Sequence, residues 1–226
     1  METTQAVKYP WDQDGYYQEY HNRMRMIALL VARESADSVL DLGCGHGKMR
    51  HLLPETTSYF GCDGHWEEPP YEDAQYAHWL FQAEAPHLPF EGKQFEAIAC
   101  SGLIEYIDAQ PALFRAIHDR LQPGGVFLCS AINPLFLRFL MGRYKLPKGK
   151  WHPAWHHVRP YKAILKDIQQ AGFRLESYAW VPEHQNSETL ATEAVNTAVP
   201  FAKSGALPSF WNFSSTQILF VARKPE

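Results

Sequence analysis

The sequence predicts an α/β fold: a doubly wound, mostly parallel sheet of seven strands with an antiparallel edge strand. Short apolar runs rich in β-branched residues, typical of buried parallel strands, alternate with segments of helical periodicity. The first run, Ser38–Leu42, is followed by a glycine-rich turn, which is where open sheets of this kind bind ligands. The last two runs, 173–181 and 216–223, are expected to pair antiparallel at one edge of the sheet.

The first elements follow from periodicity and from the positions of proline. Residues 15–33 carry apolar side chains at helical spacing, which predicts an amphipathic helix. Strands are predicted at 38–42 and 59–63, and the helix between them is short because Pro54 ends it. The segment 64–74 contains two adjacent prolines and clustered acids, so we expect an irregular connection there instead of a crossover helix.

The middle of the chain continues the alternation of strands and helices. Strands are predicted at 76–82 and 95–101. A helix opens at Pro111, a residue that suits the first helical position, and reaches about residue 121. The residues 122–125 predict a turn, which leads into a fifth strand at 126–131.

The remaining chain adds one helix and two long insertions to a single domain that covers residues 1–226. The helix is predicted at 161–171 and ends at Gly172, the residue type preferred just after a helix. The segments 133–160 and 182–213 exceed what the fold requires. Structureless loops of that length are often lids or binding loops, so we expect these two insertions to form a substrate lid.

The glycine-rich turn indicates the class of cofactor. The spacing is Gly43-x-Gly45-x-Gly47, whereas a dinucleotide-binding turn has the spacing G-x-G-x-x-G and holds a pyrophosphate. Asp41 precedes the glycines, and its carboxylate would repel a pyrophosphate but attract a cation. S-adenosylmethionine carries a sulfonium and an ammonium group and no phosphate. The pattern therefore favours S-adenosylmethionine over a nicotinamide dinucleotide.

A second acidic residue supports this interpretation. Asp63 ends the second predicted strand, 22 residues after Asp41, where a carboxylate can accept hydrogen bonds from both ribose hydroxyls. Its alternative role is that of a turn residue before Gly64. The alternative for Asp41 is a cap for the amides of the loop, which is compatible with a role in binding.

The motifs occur together and in order: the glycine-rich turn, Asp63, the stretch 83–90, the end of the fourth strand at Ser101, and the turn 122–125. Over residues 38–133 the chain resembles the class I S-adenosylmethionine-dependent methyltransferases. It is most similar to the group that includes the methyltransferase type 11 and ubiquinone-biosynthesis enzymes. The resemblance implies a Rossmann-like fold, S-adenosylmethionine as cofactor and S-adenosylhomocysteine as product.

The resemblance also implies roles for residues at the carboxyl ends of the strands. Glu84 takes the position of an acidic residue near the adenine amine, and Ala85 offers its backbone amide. Ser101 and Gly102 border the methyl group, and Leu103 packs on the adenine or on the methyl group. The complete predicted cofactor site is Asp41, Gly43, Cys44, Gly45, Gly47, Asp63, Gly64, Glu84, Ala85, Ser101, Gly102 and Leu103.

Two further expectations concern metals and the first helix. In some relatives carboxylates and a histidine hold a metal after the fourth strand; Gly102 and Tyr106 replace those ligands here, so no metal is expected. Aromatic or basic residues of the first helix could close over the cofactor, although ordinary helix packing would explain them equally well. These residues are Tyr16, Tyr17, Tyr20, His21 and Arg25.

The segment 151–161 has the most unusual local composition, with three histidines between prolines and aromatic residues. The prolines argue against one zinc-binding helix, and no acidic or cysteine ligand is close in sequence. We assign His156, His157 and Tyr161 as candidate catalytic residues, because histidine suits a general base near neutral pH. Arg159 could pair with an anionic group of the acceptor. The alternative for this segment is a polar turn that leads into the next helix.

Composition limits the partners. The formal net charge is −4, so there is no overall positive field to attract nucleic acid. The four cysteines form no C-x-x-C pair, which indicates small buried side chains in a reducing compartment. No targeting pattern precedes the first helix, and no apolar run approaches the ~20 residues that span a bilayer. We expect a cytoplasmic monomer or homodimer without stable membrane insertion.

Together these observations predict an S-adenosylmethionine-dependent methyltransferase. Its acceptor is a small organic or lipid-like molecule that is methylated at oxygen or nitrogen. Methyl transfer from a sulfonium needs mainly proximity and orientation, so neither a metal nor a covalent intermediate is required. The alternative from another functional class is a non-catalytic S-adenosylmethionine-binding protein with a regulatory or scaffold role.

Overall fold

A computed structural model provides the fold. The described residues are 16–45, 47–64, 74–78, 87–134, 157–182, 188–201 and 217–226.

Within these residues the chain forms one eight-stranded sheet with the strand order β3-β2-β1-β4-β5-β8-β6-β7. Strands β1 to β5 run parallel to their neighbours among themselves, whereas β8 is antiparallel to β5 and β6, and β7 is antiparallel to β6. The strands are β1 Ser38–Leu42, β2 Ser58–Asp63, β3 Gln75–His78, β4 Phe95–Cys100, β5 Leu121–Ile132, β6 Arg174–Trp180, β7 Val199–Pro200 and β8 Gln217–Arg223.

The predicted fold class is confirmed, with two differences in detail. The sheet has eight strands and not seven, because the two-residue strand β7 adds an antiparallel edge. The expected antiparallel pair of the last two predicted strands is formed by β6 and β8, and within it β8 lies between β5 and β6 instead of at the edge. Its five central residues are all buried, which is what a strand with neighbours on both sides and helices on both faces requires.

In the described parts of the chain, four helices cover the two faces of the sheet. They are α1 Tyr16–Arg33, α2 Gln110–Arg120, α3 Tyr161–Gln170 and α4 Glu188–Asn196, and two short 3₁₀ helices occur at Lys48–Leu52 and Ile104–Tyr106. Buried side chains of α2 and α3 pack in one core cluster with β1, β4 and β5. Buried side chains of α1 and α4 pack in a second cluster on the same sheet. Helix α3 ends where Gly172 adopts a φ of +102°.

One prediction about a loop was wrong. The residues 122–125 belong to β5, because the amide of Gly124 donates to the carbonyl of Lys224 and the amide of Lys224 donates to Gly125. The register with β4 shifts at this place, so the turn residues form an irregularity within the strand. Within the segment 182–213, the described helix α4 buries Ala191 and Val195 in the cluster that contains α1.

The strand order places the candidate site. Strand β1 pairs with β2 on one side and with β4 on the other. The order of the strands in the sheet therefore reverses at β1, between β2 and β4. The crevice at the carboxyl ends of these strands is the usual ligand site of such sheets. In the part of the chain that the structure describes, no helix combines the length and hydropathy that crossing a bilayer demands.

Gly61 in β2 provides a test of the packing beneath this crevice. A Cβ at this position would lie 2.8 Å from the ring of Tyr76 and 3.0 Å from the Sγ atom of Cys44. We expect Gly61→Ala to lower the free energy of unfolding by about 1–3 kcal/mol, since overpacking strains both neighbours. Denaturant unfolding measures the change. Adding Tyr76→Leu should recover part of the loss, and a Gly61→Ala variant as stable as the parent would contradict this packing.

Candidate functional site

The glycine-rich turn folds back onto the end of β2. The amides of Gly43 and Cys44 both donate hydrogen bonds to the carbonyl oxygen of Cys62, at 2.8 and 3.1 Å. Gly43 has a φ of +73°, which residues with a Cβ rarely adopt. A Cβ there would also lie 3.1 Å from the side chain of Leu103, which follows β4. The turn is therefore confined between the carboxyl ends of β2 and β4.

Asp63 contacts the same turn from the end of β2. Its Oδ2 atom accepts a hydrogen bond of 2.8 Å from the amide of Gly45. The amide of Gly47 donates to the carbonyl of Cys44 at 2.9 Å, which closes the turn before the first 3₁₀ helix. Asp63 and the following Gly64 are half-buried. The carboxylate of Asp63 thus lies at the mouth of the crevice, beside the amides of the turn.

Asp41 provides a buried carboxyl group directly beneath the turn. Only 2% of the residue is exposed, and its Oδ2 atom accepts a hydrogen bond of 2.7 Å from the Tyr59 hydroxyl. No described residue donates a hydrogen bond to the buried Oδ1 atom. Burial raises the pKa of Asp41 to about 7, with a smaller increase from Asp63; the Tyr59 hydrogen bond and Arg23 oppose the increase. A cation near Oδ1 would therefore favour the ionised form.

Arg23 is the functional residue that the sequence analysis missed. Its guanidinium is buried and donates hydrogen bonds to Ser101 Oγ at 2.7 Å and to Gln217 Oε1 at 2.5 Å. A Cβ at Gly102 would lie 2.9 Å from Nη2 of Arg23, so the arginine packs against the glycine that follows β4. The amide of Gly102 in turn donates to Ser130 Oγ at 2.8 Å. The end of β4 thereby acquires a fixed positive charge.

The signal for Arg23 was present in the sequence. Met24, Ile27 and Val31 form the buried face of α1, and Arg23 lies four residues before Ile27 on that face. A charged residue on an apolar stripe has a partner inside the protein. Arg25, a basic residue of the same helix, is placed elsewhere: it lines a surface groove of about 370 Å³ together with His51 and Glu188, among others.

Tyr106 presents an aromatic ring at the same end of the sheet. It belongs to the 3₁₀ helix after β4, and 52% of the residue is exposed. Partial burial and the carboxyl groups of Glu105 and Asp63 raise the pKa of the Tyr106 phenol, while Arg23 opposes the shift. Glu105 itself is buried, and its Oε1 atom accepts a hydrogen bond of 2.6 Å from the amide of Ile132. Tyr106 is therefore an exposed side chain next to Glu105, which is buried and hydrogen-bonded to β5.

The candidate catalytic residues are only partly described. His157 is half-buried, and its carbonyl oxygen accepts a hydrogen bond of 3.1 Å from Gln110 Nε2. The ring of Tyr161 packs edge-on against Phe220, with 5.6 Å between the ring centroids. His156 lies outside the described residues, as do Glu84 and Ala85 of the predicted cofactor site.

The expectation that Arg159 pairs with the acceptor is not supported. Its Nη1 atom lies 2.6 Å from Asp167 Oδ2 and donates to Gln110 Oε1 at 3.1 Å. Asp167 is on α3 and its side chain is 12% exposed. Through these two contacts Arg159 connects the segment that precedes α3 to α3 itself and to α2. The sequence could not show the link to Gln110, because that residue lies 49 positions away from Arg159 along the chain.

A comparison with models of protein families shows the family to which the chain belongs. A family model described as a methyltransferase domain matches residues 15–178. The chain belongs to the class I S-adenosylmethionine-dependent methyltransferases. The match spans α1, strands β1 to β5 and most of β6, and so includes every described residue of the site except Gln217.

Curated relatives of this methyltransferase include enzymes of quinone biosynthesis. The chain is 27% identical to a ubiquinone biosynthesis O-methyltransferase of Xylella fastidiosa over 190 residues, which cover 74% of each protein. It is 31% identical to the corresponding enzyme of Ruegeria pomeroyi over 106 residues, which cover 42% of this chain and 41% of the relative.

Solved structures share the fold. The N-methyltransferase NodS from Bradyrhizobium japonicum, in complex with S-adenosylhomocysteine, matches with a TM-score of 0.60 and 14% identity, covering 98% of this chain and 94% of NodS. The 1,6-didemethyltoxoflavin-N1-methyltransferase of Burkholderia thailandensis, with that substrate and S-adenosylhomocysteine bound, has a TM-score of 0.56 and 18% identity. The match covers 94% of this chain and 82% of that enzyme.

The described residues of this methyltransferase fit S-adenosylmethionine, the cofactor of the family. The buried Oδ1 atom of Asp41 suits a cationic group, and Arg23 suits a carboxylate. Cβ atoms are absent at Gly43 and Gly102, where added atoms would clash with Leu103 and with the arginine. Asp63 supplies an acceptor at the crevice.

The raised pKa of Asp41 predicts a particular dependence of stability on pH. The pKa rises from its ordinary value of 3.8 to about 7, so between these pH values the folded state binds more protons than the unfolded state. The contribution of Asp41 to the free energy of unfolding therefore falls as the pH rises from 4 through 7 and levels off above that range.

Asp41→Asn removes this titration and retains an oxygen that accepts the Tyr59 hydrogen bond. We expect the variant to have a Tm close to that of the parent at pH 4 and a Tm several degrees higher at pH 8. Thermal unfolding at a series of pH values measures the difference. Because all other groups titrate in both proteins, Tm curves that stay parallel from pH 4 to 8 would rule out the assignment.

Proposed function

We propose that this chain is an S-adenosylmethionine-dependent methyltransferase that methylates oxygen or nitrogen of a small organic or lipid-like acceptor. The observation that carries the proposal is the convergence of the glycine-rich turn, Asp41, Asp63 and Arg23 at the carboxyl ends of β1, β2 and β4. This arrangement offers an acceptor for a cation, an acceptor for hydroxyls and a fixed cation within one crevice.

Each of these residues has a role that follows from its charge and position. Asp63 accepts hydrogen bonds from the ribose hydroxyls, while its Oδ2 atom holds the amide of Gly45. Asp41 attracts the ammonium group of the cofactor, and Arg23 attracts its carboxylate. The bound S-adenosylmethionine supplies an activated methyl group. The chain's own contribution is to orient it, to exclude water and to bring the acceptor into line.

The acceptor side is formed by residues after β4 and before α3. Tyr106 offers an exposed aromatic surface to an apolar or planar acceptor. His157 is our candidate for accepting the proton of an acceptor hydroxyl or amine, together with His156 and Tyr161 as further candidates. The insertions 133–160 and 182–213 are proposed to form the lid, since the first of them contains His157.

The class of acceptor is supported by charge and by the relatives. The net charge of −4 disfavours a nucleic-acid acceptor. Relatives and structural neighbours are named as an O-methyltransferase of ubiquinone biosynthesis and as N-methyltransferases, and one of the latter holds a small heterocyclic substrate. We therefore propose a small acceptor with a nucleophilic oxygen or nitrogen, and no metal in the reaction.

Isothermal titration with S-adenosylmethionine, S-adenosylhomocysteine and NAD tests the first half of the proposal. Micromolar binding of the first two and not of NAD is expected. A panel of phenols, catechols, amines and quinone precursors with radiolabelled S-adenosylmethionine then tests the transfer. Binding without transfer to any acceptor in this panel would instead support a regulatory or scaffold role.

Two variants separate the contacts to the two ends of the cofactor. Asp63→Asn should weaken binding of both S-adenosylhomocysteine and methylthioadenosine about tenfold or more, because both ligands have the ribose hydroxyls. Arg23→Met should weaken binding of S-adenosylhomocysteine by a similar factor and leave methylthioadenosine nearly unchanged, because that ligand lacks the carboxylate. Arg23→Lys, which retains the charge, serves as the control. Equal losses for both ligands in Arg23→Met would contradict its role.

His157→Ala separates the acceptor side from the cofactor side. We expect its Kd for S-adenosylhomocysteine to stay within about twofold of the parent and kcat to fall about 10²-fold or more, since general acid–base catalysis typically contributes 10²–10⁴. His51→Ala, at an exposed histidine of the first 3₁₀ helix, is the matched control. If the His157→Ala variant does not bind the cofactor, or if its kcat equals that of the control, His157 does not act as the base on the acceptor side.

A further inference from the structure

Gln110 is a fully buried polar residue outside the cofactor site. It is the first residue of α2, directly before Pro111, and none of it is exposed to solvent. A buried amide costs free energy unless its hydrogen bonds are made. Three are made here: Nε2 donates to the carbonyl of Ile104 at 2.8 Å and to that of His157 at 3.1 Å, and Oε1 accepts from Arg159 at 3.1 Å.

The partners of Gln110 belong to two segments that are remote in sequence. Ile104 opens the 3₁₀ helix that contains Tyr106, and it follows the end of β4. His157 and Arg159 lie 47 and 49 residues after Gln110, just before α3. Both donor hydrogens of the amide are used to hold one carbonyl of each segment. The side chain therefore joins two loops that regular secondary structure does not join.

A second set of contacts connects Gln110 to helix α3. Arg159 Nη1, which donates to Gln110, also lies 2.6 Å from Asp167 on α3. Helices α2 and α3 pack against the same core cluster through Phe114 and Ile168. The network thus extends from the end of β4 through Gln110 and Arg159 to α3. A satisfied buried network of this kind specifies one relative placement of the elements that it joins.

We propose that Gln110 is a positioning residue for the acceptor side of the site. It holds the segment at His157 against the helix Ile104–Tyr106, so that His157 and Tyr106 keep a fixed separation. The inference rests on the proposed function, because only that function makes these two residues the acceptor side. Gln110 acts through its two backbone partners and touches neither the cofactor nor the reacting atoms.

Two variants change the hydrogen bonds of Gln110 at nearly constant volume. Gln110→Glu retains an oxygen for Arg159 but loses the paired amide donors, and Gln110→Met loses all three hydrogen bonds. Gln169→Glu and Gln169→Met are the matched controls, since Gln169 is an exposed glutamine of α3. The probes are S-adenosylhomocysteine for binding and the acceptor with the highest turnover in the panel for catalysis.

We expect kcat/KM for the acceptor to fall at least tenfold in both Gln110 variants, while the Kd for S-adenosylhomocysteine stays within twofold of the parent. Hydrogen exchange should accelerate at 104–107 and 157–160 and stay unchanged in β1 and β4. Three outcomes overturn the proposal: an unchanged kcat/KM, a loss of S-adenosylhomocysteine affinity as large as the loss in kcat/KM, or an equal acceleration of exchange throughout the chain.

The readouts distinguish this proposal from the proposed function. If the parent protein transfers a methyl group to no acceptor, the proposed function fails, and the hydrogen-exchange and affinity measurements still decide whether Gln110 holds the two segments. If transfer occurs and the variants match the Gln169 controls, the function stands and the positioning role is refuted. Should Gln110→Met fail to fold, Gln110→Glu alone decides between these outcomes.

Discussion

The contact between the glycine-rich turn and the end of β2 is the constraint on which the site depends. One carbonyl, that of Cys62, accepts two amides of the turn, and the next residue, Asp63, accepts a third. This close approach requires that no Cβ stands at Gly61, where Tyr76 and Cys44 fill the space. Because the turn is tied to β2 in this way, the buried carboxyl of Asp41 comes to lie beneath it.

The sequence was sufficient for features that depend on local periodicity and on residue type. The strands β1, β2 and β4, the helices α1, α2 and α3, and the glycine-rich turn were predicted with errors of a few residues at most. The place of β8 inside the sheet was not predicted, because pairing between distant strands leaves no local pattern. The turn predicted at 122–125 failed for the same reason: its backbone groups find partners at Lys224, about a hundred residues away.

The candidate site also combines features that local sequence patterns predict with features that depend on distant contacts. The sequence could place Asp41, Asp63 and the glycines at the ends of β1 and β2 from their spacing, whereas it could not place Arg23 and Gln110, since their partners lie across the fold. A charged or amide side chain on a buried helix position was nevertheless a readable signal. Burial of such a group demands hydrogen bonds, so the question of where its partners lie could have been asked from the sequence alone.

Asp41 and Gln110 illustrate two different uses of a buried polar group. The amide of Gln110 makes both of its donor bonds within the protein, so it adds to the rigidity of the elements that it joins. The carboxyl of Asp41 has a buried oxygen to which no described residue donates, and its ionised form is correspondingly costly without a cation nearby. The first arrangement is complete in the protein alone, whereas the second leaves an acceptor that a positively charged group would complete. Under the proposed function, a cationic ligand would therefore stabilise the cofactor side of the crevice, whereas the hydrogen bonds of Gln110 are made without a ligand.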